Sequence, residues 1–237
     1  MTLLADFQQV LTYNEETKHH PYRYARSMGY LDWENQPHPF RFWEGAEVVR
    51  LPFLEHDPDI PYEHLYVRGV RQAAPFNLNT IVAFLELSMA ISAWKSHGDT
   101  QWALRVNPSS GNLHPTEAYL ILHSIEGLAG GVFHYNPFLH ALERRVSLPN
   151  SLDGALKDHF QAKGFLLLLT TIYWRESWKY GERGFRYCHH DAGHALAACA
   201  VSGNLHGWHA TFLSEASDEE ARIVLGFDRQ EWIRHEE

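Results

Sequence analysis

The stretch Asn107–Tyr119, NPSSGNLHPTEAY, concentrates groups that can do chemistry. Ser109, Ser110, Gly111, Asn112 and Thr116 supply hydroxyls, an amide and a glycine-opened backbone within ten positions. Pro108 and Pro115 stiffen the two ends, so these groups are held in place. Such a loop suits a flat, polar, phosphate-bearing ligand that needs short hydrogen bonds and close backbone approach. The same residue types also build an ordinary polar turn between a helix and a strand, and the residues alone leave both readings open.

Two further groupings have chemical content. HHDAGH sets His190 and His194 at i and i+4, a spacing that can chelate zinc, with Asp191 as a further oxygen donor and His206 and His209 beyond. The motif lacks the glutamate of HExxH, so core or interface histidines are the favoured reading and no metal is expected. Gly193 in mid-helix then reads as a close-packing position. Cys188, beside Arg186 and His189, is either an activated thiol or a small buried hydrophobe; the second is the commoner outcome for a helical cysteine. Cys188 and Cys199 lie about 16 Å apart along one helix at about 1.5 Å per residue, too far to bridge.

The elements that position these groups follow from periodicity and punctuation. A short amphipathic helix is expected over Leu3 to Leu11. The aromatic segment that follows, with Pro21, Pro37, Pro39 and Pro52, reads as an extended arm lying over another domain or subunit. Asn79 caps a buried helix, TIVAFLELSMAISAW. AYLILHS is a strand, and VFHYN with HALERRV forms a hairpin. LDGALKDHFQAK is a surface helix closed by Gly164. FLLLLTTIYW, apolar without alternation, reads as a central strand. A long helix runs from about Gly184 to Leu205 and ends at Gly207, WHATFLS is another strand, and Ser217 with Glu220 boxes a last helix that stops at Gly226. This order is α+β, divided into an arm over 1–60 and a domain over 61–237.

Composition excludes several classes. The chain of 237 residues is 45% hydrophobic and 21% charged, which suits a packed globular core. A net charge of −9 argues against nucleic-acid binding. The longest apolar run, Phe165 to Trp174, is about half of what a membrane span requires. The N-terminus lacks signal-peptide features, and two unpaired cysteines fit a cytoplasmic location.

Four segments, in order, resemble the nitroreductase-like flavoproteins, in the branch called SagB-type dehydrogenases. TKHHPYRYARSMGYLDWENQPHPFRFWEGA is similar to the N-terminal arm of long two-domain members. WALRVNPSSGNLHPTEAYLIL matches the flavin loop and its strand, and GVFHYNPFLHALE the hairpin. WKYGERGFRYCHHDAGHALAACAVSGNLHGW resembles the Tyr-Gly-x-Arg element and core helix. The resemblance covers about residues 17 to 210.

It implies a nitroreductase-like fold, a mostly antiparallel central sheet flanked by helices, with FMN held at the interface of a pair of domains. Pro108, Ser109, Ser110, Gly111, Asn112 and His114 would line the ring and ribityl side. Arg68 and Arg71 would lie near the phosphate, where guanidinium forks suit a dianion. Tyr180 and Arg183 would stand on the substrate side or at the domain contact. The family's Arg-x-Ser-x-Arg start reads Val67-Arg68-Gly69-Val70-Arg71 here, with Arg71 alone on register. The family also continues past EWIRHEE with another strand.

The function expected is FMN-dependent hydride transfer through the flavin N5 on a small-molecule or peptide substrate, in a homodimer or beside a second such domain. No residue is singled out as catalytic acid or base, as fits chemistry carried by the cofactor. The alternative is a non-catalytic half that completes a flavin site elsewhere.

Overall fold

In the computed structural model the described residues are 3–67 and 69–229. Arg68 and the EWIRHEE end therefore lie outside them. The elements in chain order are α1 (Leu3–Thr17), β1 (Glu47–Arg50), α2 (Leu78–Met89), β2 (Ile91–His97), β3 (Thr100–Arg105), β4 (Thr116–Leu122), β5 (Gly131–Asn136), β6 (Ala141–Ser147), α3 (Asn150–His159), β7 (Leu166–Thr171), α4 (Tyr173–Tyr180), α5 (Gly184–Leu205) and α6 (Asp218–Leu225).

Five strands form one antiparallel sheet in the order β1-β6-β5-β4-β7, and β2 with β3 forms a separate hairpin. Alternation sorts the sheet's two faces. Ala118, Leu120, Leu122, Phe133, Tyr135 and Leu142 point to α2 and α5 and build the larger core with Ile81, Leu85, Ala195 and Cys199. Tyr119, Ile121 and Val132 point the other way, onto Leu156 of α3, Leu225 of α6, Phe227 and Trp43. The result is the expected α+β architecture, a sheet between two helical layers.

Several elements differ from the sequence expectations. The helix expected to run through ISAW stops at Met89. Its cap is Asn77, boxed with Thr80, in place of Asn79. Ile91–His97 instead pairs with Thr100–Arg105 around the two-residue turn Gly98–Asp99, with Gly98 at φ +55°. Gly-Asp at that spacing is itself a hairpin signal, masked in the sequence by the apolar run before it. The strand β7 lies at the sheet edge among the described residues, and its unalternating leucines have a different cause. Leu167 and Leu169 join one core while Leu166 and Leu168 join the other.

WHATFLS forms no strand: it finds no ladder among the described residues, and Phe212 and Leu213 are exposed. The helix α3 ends well before Gly164, at left-handed Gln161 and Ala162; Gly164 gives room to the Phe160 ring. The helix α1 runs to Thr17 because tertiary bonds extend it. The Tyr13 hydroxyl donates to the Glu182 carbonyl at 2.7 Å, and Arg186 donates to Asn14 and Thr17. The remaining boundaries agree, with α5 spanning Gly184–Leu205 and Ser217 boxing α6.

The aromatic segment folds back on its own chain. The Trp178 indole donates to the Asp32 carbonyl at 2.7 Å, Arg105 donates to Pro39, and β1 pairs with β6.

Candidate functional site

The helix α5 turns Asp191 inward, where it is 1% exposed, against the loop that follows β3. Asp191 accepts from the Ser109 hydroxyl at 2.7 Å, the Ser110 hydroxyl at 3.0 Å and the Ser110 amide at 3.0 Å. The loop makes one 3₁₀ turn, Ser110–Asn112, with Gly111, Asn112 and His114 all at positive φ. Two of these are not glycine, so tertiary bonds must hold the conformation. They do so from both sides. The Asn112 amide donates to the Ala103 carbonyl at 2.9 Å, while its oxygen accepts from His114 Nε2 at 2.8 Å. The Ser109 hydroxyl also accepts from the His114 amide at 2.8 Å.

The loop's polar side chains are thus turned inward. What faces outward is the backbone around Gly111. An added Cβ there would lie 2.6 Å from the Tyr180 hydroxyl and 2.9 Å from Lys179 Nζ, so α4 delivers a phenol and an ammonium to the loop tip. Burial, followed by Glu176, raises the Tyr180 pKa and keeps the phenol neutral. Arg183 lies 5.6 Å from the Tyr180 ring and donates to His19 Nε2 at 2.7 Å and to Tyr187. Beside them, Thr17, Arg26, Met28, Gly181 and Arg183 line a shallow, polar depression.

Below the loop, a buried charged relay crosses the sheet. Arg175 donates to the His114 carbonyl at 2.6 Å and to Glu117 at 2.5 Å. His134 is bracketed by Glu117 at 3.0 Å and Glu143 at 2.7 Å. Burial opposes charge on His134, and the two carboxylates outweigh it, so its pKa rises and both nitrogens carry protons. Burial also opposes charge on Glu117, yet Arg175 and His134 hold its carboxyl well below the usual range. His114 itself is pushed down to about 3 by burial and then by Arg105; its Nδ1 is buried without a partner.

Of the residues singled out in the sequence, Ser109, Ser110, Gly111, Asn112, His114, Tyr180 and Arg183 come together around the N-terminal half of α5. Pro108 opens the loop and is exposed. Arg71 lies elsewhere, donating to the Leu205 carbonyl at the far end of α5. Arg68 falls outside the described residues. His190 and His194 are exposed, and no group of three or more His, Cys, Asp or Glu among the described residues could hold a metal ion. Gly193 faces open space, so no other described helix of this chain packs against it. Cys188 is the buried hydrophobe, pushed up to about 12 chiefly by burial.

Sequence reasoning missed the relay and the role of Glu176. Glu117 and His134 sit where alternation predicts same-face positions, a polar signal overshadowed by the loop beside it. Asp191 enters the sequence reading as an oxygen donor to a metal, whereas the structure makes it the anchor of the loop.

The donor set, a glycine-opened backbone rimmed by Lys179, Tyr180 and Arg183, suits a flat, polar, phosphate-bearing ligand rich in hydrogen-bond acceptors, as FMN is. The fold is nitroreductase-like. The chain is 31% identical over 187 residues to a protein of Methanocaldococcus jannaschii described as a "putative nitroreductase", an alignment covering 75% of this chain and 88% of that one. This chain belongs to the nitroreductase family. No protein-family model matches it. A solved structure from Anabaena variabilis with the same description superposes with a TM-score of 0.71 at 23% identity, over 91% of this chain and 42% of that one. The present chain thus spans less than half of that protein. The E. coli microcin synthetase McbBCD complex, with truncated pro-MccB17 bound, gives a TM-score of 0.51 at 19% identity, covering 93% of this chain and 86% of that one. Among the described residues no helix is long and apolar enough to cross a membrane.

Proposed function

We propose that the chain is an FMN-dependent oxidoreductase of the SagB-type dehydrogenase branch, its domain over 61–237 carrying the flavin and its arm over 1–60 bracing the site. The observation that carries this reading is the loop Pro108–His114, pinned by Asp191 and rimmed by Lys179 and Tyr180. In this reading Pro108, Ser109, Ser110, Gly111, Asn112 and His114 form the ring and ribityl side. The inward side chains of Ser109, Asn112 and His114 set the backbone that meets the ring. Arg71 and Arg68 are the residues assigned to the phosphate. Bound FMN would supply hydride transfer at its N5. The chain's own residues orient the reactants: Tyr180 presents a neutral phenol to the substrate side, and Arg183 braces it.

Asp191 and the Leu205 carbonyl that engages Arg71 are fourteen residues apart on α5 (205 − 191), about 21 Å at about 1.5 Å per residue. A second copy or second domain that joins one loop to the other's Arg71 accounts for that separation, so a homodimer or a paired domain is part of the proposal. A peptide substrate is favoured over a small molecule by the fold shared with the microcin synthetase complex.

A second reading has its own observation. Arg71 is already engaged with Leu205, and the stretch Val67–Arg71 lacks the serine and first arginine of the phosphate motif. The domain would then be a non-catalytic half that completes another site. The visible absorption spectrum of the purified protein separates the two. A flavin spectrum with FMN as the released chromophore supports the first; a colourless protein that takes up no added FMN supports the second.

A further inference from the structure

Directly beneath the loop, α4 buries a second carboxyl group. Glu176 is 0% exposed, and neither of its oxygens meets a hydrogen-bond donor. It faces Asp191, whose oxygens already accept from the Ser109 and Ser110 hydroxyls and the Ser110 amide. Two buried acceptors that face each other require a proton between them, since two adjacent carboxylates in a dry site repel strongly. We propose that Glu176 is a protonated acid that donates to Asp191, and that this shared proton is the latch that holds the Ser109–Ser110 loop in its site-forming shape.

The surroundings agree with a neutral Glu176. From α5 it meets Asp191 and Cys188, and His194 of the same helix, half exposed, stands 4.0 Å from the Asp191 carboxyl. From its own helix it meets Tyr180, and Lys179, whose positive charge opposes the shift. Burial, then Asp191, raises the Glu176 pKa from 4.5 to about 9. The raised value sets the sign of the linkage. The closed loop keeps the proton and an opened, hydrated site gives it up. The stabilisation is complete below 4.5, declines as pH rises, and is gone above about 9. Near neutral pH the protein therefore sits on the slope, where the latch is still engaged but weakens with each step toward base.

The latch makes Glu176 a positioning residue: it acts on the loop through Asp191. Its effect on flavin rests on the reading proposed above, whereas the shared proton does not. The test therefore has two arms. In the first, glutamate-labelled protein is titrated by ¹³C NMR without flavin, and exchange of the Ser110 amide is followed over the same range. One glutamate carboxyl should remain protonated at pH 7. Ser110 protection should fall by up to about tenfold per pH unit between 4.5 and 9, relative to Glu176→Gln, whose amide donates to Asp191 at every pH. Asp191→Asn should move the late-titrating carboxyl to lower pH, which assigns it even if Glu176→Gln fails to fold. Absence of any glutamate protonated at pH 7, or identical exchange profiles for wild type and Glu176→Gln, overturns the latch. In the second arm, FMN affinity is measured from pH 6 to 10. Wild-type affinity should weaken with pH while that of Glu176→Gln stays level. If FMN binds at no pH while the first arm holds, the latch stands and the flavin reading fails.

Discussion

Arg175 and Glu176, neighbours in α4, belong to two buried acidic sites that resolve the same problem in opposite ways. On the sheet side, Glu117 is 1% exposed and ionised, because Arg175 and His134 both donate to it. On the loop side, Glu176 is 0% exposed and faces another carboxyl, and burial pushes its pKa up to about 9. Equal burial therefore gives opposite charge states, and the partner decides which. The relay is a fixed part of the fold, as its charges are compensated. The carboxyl pair is adjustable, since its stability depends on one proton within the neutral pH range.

The largest effect that would sharpen this contrast comes from Arg175→Met. It leaves Glu117 short of its guanidinium and frees the His114 carbonyl. Urea unfolding should show a loss of about 3–5 kcal/mol, the usual cost of breaking a buried pair. A loss below about 1 kcal/mol would mean that His134 alone suffices for Glu117. Next, Asp191→Ala removes the acceptor of two hydroxyls and one amide. It should cost about 1–3 kcal/mol and abolish protection of the Ser110 amide, while the β4–β5–β6 amides stay protected.

pH should then separate the regions. Glu117 is depressed, so its contribution is present above 4.5 and lost as the solution becomes more acid. His134 is raised, so its contribution is full below 6.5 and lost as pH rises through its folded value. The relay is thus strongest between those limits, whereas the carboxyl pair weakens across them. Chemical denaturation at pH 4, 5.5 and 8 for wild type and Glu176→Gln checks this: the two curves should converge in acid and diverge in base. The smallest effect is that of Gly111→Ala. Its φ of +64° and the nearby Tyr180 hydroxyl should cost about 1 kcal/mol, read as a lowered unfolding midpoint, with Tyr180 displaced from the loop tip.

Much of this was legible in the sequence where a residue's local chemistry agrees with its tertiary role. Ser217 and Glu220 announce α6, and HYN with HALE announces the hairpin. The loop at Ser109–Asn112 was visible because serine, glycine and asparagine between prolines are rare outside turns and binding loops. Partnerships across the fold were not visible. Nothing local says that Glu117 meets His134, seventeen positions away, or that Glu176 faces Asp191 across two helices. The departures from expectation at Ile91–His97 and WHATFLS have one cause. Apolar residues report burial or strand propensity, but a ladder exists only where a partner edge arrives. The hairpin β2–β3 carries its own partner, and WHATFLS does not.

The central claim is that a loop pinned by Asp191 is a flavin platform. The most direct test is FMN content per chain, from the absorption spectrum and the released chromophore, for wild type and Asp191→Ala purified side by side. The account predicts near-equimolar FMN in the wild type and little in the variant, with the variant's far-ultraviolet circular dichroism unchanged. A folded Asp191→Ala protein that keeps its full flavin, or a wild type that neither carries nor takes up FMN, would contradict it.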